Sequence, residues 1–113
     1  MSIKIVMLKS GEDVIADIKE IYLQEDGPVV GYYLSKPYIV KLYEKRMTLN
    51  EDINKNDHGY DILFAPWAPL SKDKEFNIPF DWVVSIYEPH EDVKNSYVNK
   101  MEKENEYSNT SLS

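Results

Sequence analysis

The chain contains no cysteine. That removes disulfides, thiolate metal ligands and a cysteine nucleophile together. Arginine is nearly absent. Arg46 is the single example, and 13 basic residues stand against 20 acidic ones, for a formal net charge of −7. Phosphate binding rests on clustered Lys and Arg, so the composition argues against an electrostatic grip on nucleic acid by the molecule as a whole, and leaves room only for a local basic patch. Histidine occurs twice, at His58 and His90. No apolar run approaches the ~20 residues that span a bilayer. The opening Met-Ser-Ile-Lys-Ile-Val-Met-Leu-Lys has no long apolar stretch of signal-peptide type. A cytoplasmic protein with no membrane partner is therefore expected.

What remains is a chain of 113 residues, 42% hydrophobic, with nine Tyr, two Trp and three Phe. That is room for one domain with a small core. Tyrosine, half apolar and half polar, suits half-buried strand faces and subunit interfaces. Residues 3–8 are apolar and β-branched, Ser10-Gly11-Glu12 reads as a turn, and residues 13–23 form a long strand with a polar face. Ala16, small and central in that strand, permits a sharp bend. Gln24-Glu25-Asp26-Gly27-Pro28 is a second turn signal. Residues 29–43 resume as strand, interrupted by Pro37, which marks an edge, a bulge or a break. Tyr60-Asp61-Ile62-Leu63-Phe64-Ala65 is a strand that ends at Pro66-Trp67-Ala68-Pro69. Phe76-Asn77-Ile78-Pro79 leads into a last strand over 82–87.

Beyond Pro89 the period changes. Val93, Tyr97, Val98 and Met101 recur at helical spacing, with Glu91 and Asp92 in the favourable first turn. The expected organisation is a β-domain over 1–88 with a long polar loop near 44–59, a helix over 89–106, and a polar tail over 107–113. No crossover helix separates the strands, so a parallel βαβ sheet is excluded.

Leu8-Lys9-Ser10-Gly11-Glu12-Asp13-Val14-Ile15-Ala16-Asp17-Ile18, Leu34-Ser35-Lys36-Pro37-Tyr38-Ile39-Val40, Phe64-Ala65-Pro66-Trp67-Ala68-Pro69 and the stretch from Ile78-Pro79-Phe80-Asp81-Trp82 through Pro89 together resemble the Sm-like (LSm) fold. The resemblance is to a bacteriophage (cyanophage-type) branch of it and covers roughly residues 3–101. It implies an all-β protein with a C-terminal helix, built on a small five-stranded SH3-like barrel. It also implies a homo-oligomeric ring of five to seven subunits, with Tyr60, Ile62, Phe64, Trp82, Val84 and Ile86 as subunit-interface candidates, and location in the host cytoplasm. RNA is the ligand of many such rings. The departures bear on that ligand. Glu25-Asp26-Gly27-Pro28 stands where the family has an Asp-x-x-Met-Asn element, and Pro79-Phe80 stands where it has an Arg-Gly pair. The implied function is non-catalytic binding or scaffolding, associated with RNA. The alternative is a phage structural or assembly component that contacts other proteins and no nucleic acid.

Read from the residues themselves, chemistry is thin. Lys41, Tyr43, Lys45 and Arg46 make the one basic–aromatic cluster, and Trp67 is the aromatic placed to stack on a base. A solvated strand end for the first group, and a core or interface anchor for Trp67, are the favoured alternatives. His90-Glu91-Asp92 reads as a helix start rather than a metal site, since no pair of ligands lies one helical turn apart. No catalytic set, metal or cofactor is expected.

Overall fold

The computed structural model describes residues 1–44 and 60–111. Six strands and one helix follow in the order β1 (Ile3–Leu8), β2 (Asp13–Tyr22), β3 (Val29–Glu44), β4 (Tyr60–Pro66), β5 (Glu75–Pro79), β6 (Val83–Tyr87) and α1 (Glu91–Ser111), with a 3-10 turn at Phe80–Trp82 between β5 and β6. All strand pairs are antiparallel. The sheet runs β4-β3-β2-β1-β6, and β5 also pairs with β3. The mostly-β architecture with a C-terminal helix agrees with the sequence. The strand count does not, being six rather than five. The stretch ending at Pro79 is a strand in its own right, because Gly31 opposite it lets β5 approach β3 closely. A Cβ on Gly31 would stand 2.7 Å from the Ile78 carbonyl oxygen.

β3 is the spine. Its first part pairs with β2 on one edge and with β5 on the other, and its last part, Tyr38–Glu44, pairs with β4. Between the two parts the ladder is irregular. Ile15 faces Tyr38 and Asp17 faces Ser35, so Ala16 answers both Lys36 and Pro37. This is a bulge at the place where Ala16 and Pro37 signal a bend. Lys36 takes the left-handed conformation there, with φ 52°. Its N–H donates to the Lys74 carbonyl at 2.7 Å, which ties the β4–β5 connection to the bulge.

A buried cluster lies on each side of the sheet. Val6, Leu8, Val14, Ala16, Ile18, Leu34 and Ile78 form one core, closed in by Tyr32, Trp67, Val83 and Ile86. Ile78 of β5 and Val83 and Ile86 of β6 meet in that core although β5 and β6 lie at opposite ends of the path β5-β3-β2-β1-β6, so the sheet curls over on itself. The other face carries Ile3, Ile5, Ile15 and Tyr38, and α1 lies on it through Tyr97 and Met101, flanked by Val93 and Val98. The helical stripe legible in the sequence is thus the docking face. A lone helix of this composition is marginal in water, and burial of the stripe is what holds it.

The helix bounds differ from expectation. It begins at Glu91, with the His90 carbonyl accepting the Lys94 N–H at 3.0 Å, and runs to Ser111, so most of the 107–113 tail is helical. The loop near 44–59 lies, from residue 45 on, outside the described residues.

Candidate functional site

Three strands leave an edge without a partner among the described residues: β4 and β5 each pair only with β3, and β6 only with β1. The edges of β4 and β6 are the least protected. The 3-10 turn fixes the entry to β6, and the Trp82 carbonyl accepts the Lys9 N–H at 3.0 Å. Leu8 then pairs with Val83 but Met7 with Ser85, which leaves Val84 as the extra residue of a bulge. Val84 is 60% exposed and Trp82 44%. β6 contains no charged residue. In β4 the one charge is Asp61, opposite Tyr43, and Ile62 and Leu63 are exposed. Soluble proteins ordinarily blunt free edges with Lys, Pro or inward charges. These two edges carry almost none.

The six interface candidates therefore divide. Ile62, Trp82 and Val84 are exposed. Ile86 and Phe64 pack within the chain, Phe64 edge-on to Tyr97 with ring centroids 6.3 Å apart. Tyr60 opens β4 opposite Glu44.

Among the described residues, Trp67 is not brought together with the other nucleic-acid candidates. Lys41 and Tyr43 are exposed near the far end of β3, opposite Leu63 and Asp61. Trp67 lies past the other end of β4, half-buried against the inner core and edge-on to Phe76 at 5.4 Å. Its backbone N–H donates to the Pro37 carbonyl at 3.1 Å, and its indole N–H to Glu12 Oε1 at 3.4 Å. These contacts anchor the β4–β5 connection. Lys45 and Arg46 lie outside the described residues.

A cleft of about 380 Å³ opens at the β3 bulge, between Lys36, Pro37, Tyr38, Lys74, Phe76 and Glu104. The Tyr38 hydroxyl donates to the Glu104 carboxylate. Burial holds the Glu104 carboxyl above the usual carboxylate range, while nearby Lys36 acts in the opposite sense. Beneath lies Tyr97, whose hydroxyl donates to the Lys36 carbonyl at 2.7 Å. Burial pushes the Tyr97 phenol well above its ordinary range, and the charge of Asp17 adds to the effect. The cleft offers opposed charges, with the Tyr38 phenol and the Glu104 carboxylate hydrogen-bonded to each other at its wall. No group of three or more potential metal ligands gathers among the described residues. No helix among them is long and apolar enough to cross a membrane.

Sequence reasoning missed the bulge-capping role of Tyr97, although a tyrosine in the middle of an apolar helical stripe is the signal that could have found it. It also missed the exposure of the apolar residues Leu42, Leu63, Phe80 and Tyr87, because period-two patterning says which residues share a face and not whether that face is covered. No protein-family model matches this chain, and no curated protein does.

Proposed function

We propose that the chain is an Sm-like, SH3-like barrel of phage origin that assembles through its strand edges into a homo-oligomeric ring of five to seven subunits, and that it serves as a non-catalytic scaffolding or binding protein. The curl that brings β5 and β6 into one core supports closure of the sheet into a barrel. The observation that carries the assembly is β6: a free, uncharged edge strand with Val84 60% exposed on it. Adding the β4 edge of a second copy to the β6 edge of the first joins two different surfaces, and such a heterologous contact closes into a ring when its rotation permits. Each backbone hydrogen bond formed adds about 0.5–1.5 kcal/mol, and the covered apolar side chains add to that.

Of the two roles, contact with other proteins is better supported than RNA binding. The net charge of −7 multiplies with subunit number, Trp67 is taken up in packing, and Lys41 lies two residues from Tyr43, the β3 residue opposite Asp61. Static light scattering tests the assembly. The wild type is expected to be oligomeric at micromolar concentration, and Val84→Lys, a change at an exposed side chain, should shift it toward monomer with its circular dichroism unchanged. A wild type that is monomeric at that concentration defeats the proposal.

A further inference from the structure

At the end of the sheet where β2 and β3 join, the inner face carries an aromatic shelf that the edge-to-edge assembly does not use. Glu20 and Tyr32 are direct cross-strand partners and so share a face. Tyr32 in turn pairs with Ile78, and Gly31 with Pro79, which sets Phe80 at the mouth of the 3-10 turn directly over Tyr32. The two rings stack, with centroids 6.3 Å apart and planes 21° from parallel. Tyr22 lies two residues beyond Glu20 in β2, and its hydroxyl donates to the Glu20 carboxylate. Phe80 is 54% exposed and Tyr22 48%. The close approach of β5 to β3 at Gly31 is what places Phe80 here.

Aromatic rings left in water beside a carboxylate form a specific kind of surface. The ring faces carry negative quadrupole potential, and Glu20 adds a full charge at their edge. Asp81 follows Phe80 in the turn, and the β2–β3 connection at this end brings Glu25 and Asp26. The complement of such a surface is a flat cation. Guanidinium fits better than ammonium, because it stacks on a ring and offers donors to a carboxylate at the same time.

We propose that Tyr22, Tyr32, Phe80 and Glu20 form a receptor for an arginine side chain presented by another protein. A second copy of this chain is a poor source, since Arg46 is its single arginine. The role is separate from the strand edges, so Val84→Lys, which tests assembly, leaves it intact.

The test is an NMR titration of the full chain with a short arginine–glycine peptide, with the same peptide carrying lysine, and with one carrying citrulline, the neutral isostere. Saturable shifts of Tyr22, Gly31, Tyr32 and Phe80 amides are expected, in the order arginine, then lysine, with none for citrulline. Phe80→Leu keeps the apolar bulk and removes the ring; it should weaken arginine binding about 5- to 30-fold, the scale of one cation–π contact. Glu20→Gln should weaken it as well, and both variants should keep the thermal midpoint and the oligomeric state of the wild type. Citrulline binding as well as arginine, no saturation up to ~10 mM peptide, or a Phe80→Leu variant that binds as the wild type does would each overturn the proposal. A Phe80→Leu variant that changes subunit number would overturn it too, by showing the shelf to be a contact between copies.

Discussion

Replacing Tyr97 with Phe removes one oxygen atom from the middle of the molecule, and the structure fixes what that should cost. The side chain is fully buried. Its ring lies edge-on to Tyr38 at 5.9 Å and to Phe64 at 6.3 Å, contacts that Phe retains. Its hydroxyl supplies the Lys36 carbonyl with a hydrogen bond of 2.7 Å at a bulge where β2 cannot supply one in register. Losing that bond should cost about 0.5–1.5 kcal/mol, the net contribution of a typical intramolecular hydrogen bond. Tyr97→Ala should cost more, about 3–5 kcal/mol from cavity formation by analogy with Phe→Ala, with the lost hydrogen bond in addition. The assay is urea unfolding followed by tryptophan fluorescence, repeated at rising pH. The phenol is held protonated in the folded chain by burial first and by Asp17 second, so its folded-state pKa is raised. The stabilisation from the neutral phenol is complete below the unfolded value near 10 and is lost as pH rises above it, by about 1.4 kcal/mol per pH unit. Tyr97→Phe should remove that part of the alkaline slope and leave the smaller contributions of Tyr22, Tyr33 and Tyr87, whose phenols are also shifted upward. A Phe variant within about 0.5 kcal/mol of the wild type at neutral pH, with an unchanged alkaline slope, would refute the capping role.

Gly31→Ala should destabilise by about 1–3 kcal/mol, because its Cβ meets backbone rather than a movable side chain, the Ile78 carbonyl at 2.7 Å. Urea midpoints read this directly, and an unperturbed midpoint would mean that β5 yields without loss. Oligo-U and oligo-A titrated at ~0.15 M salt should bind weakly and alike, since exposed charges beyond ~8 Å are screened and basic residues are few. Sub-micromolar binding that separates the two sequences would restore an RNA-binding role.

The parts of the fold legible in the sequence were those where a residue type has one structural use. The stripe Val93, Tyr97, Val98 and Met101 could dock in only one way, and it does. Ala16 and Pro37 mark a bend, and they are found on opposite sides of one bulge. Residues with two uses were not settled. Pro79 ends a strand as well as it begins one, and it hid β5. The polar residues from 107 on read as a frayed tail, but α1 continues to Ser111. Trp67 between prolines suited a ligand platform or an anchor. The contacts with Phe76 and Glu12 that make it an anchor come from distant parts of the chain. The aromatic shelf was illegible because its members are ten or more residues apart in the chain, apart from Tyr22 and Glu20, and meet only through strand register.

Burial on both sides of β1 leaves that strand without the usual marker of alignment. Along β1, Ile3 and Ile5 enter one core while Val6 and Leu8 enter the other. Sliding β1 by one residue against its neighbours would therefore exchange one set of aliphatic side chains for another and place few polar groups in the interior. A strand with a wet face forbids such a slip by its polarity. Here the task falls to irregularities that cannot be translated: the left-handed Gly11 turn, the extra residue at Val84, and the unmatched Lys36–Pro37 step. These defects in the ladder act as index marks, each fitting a single alignment, and a change that made the ladder more regular would make the alignment less unique.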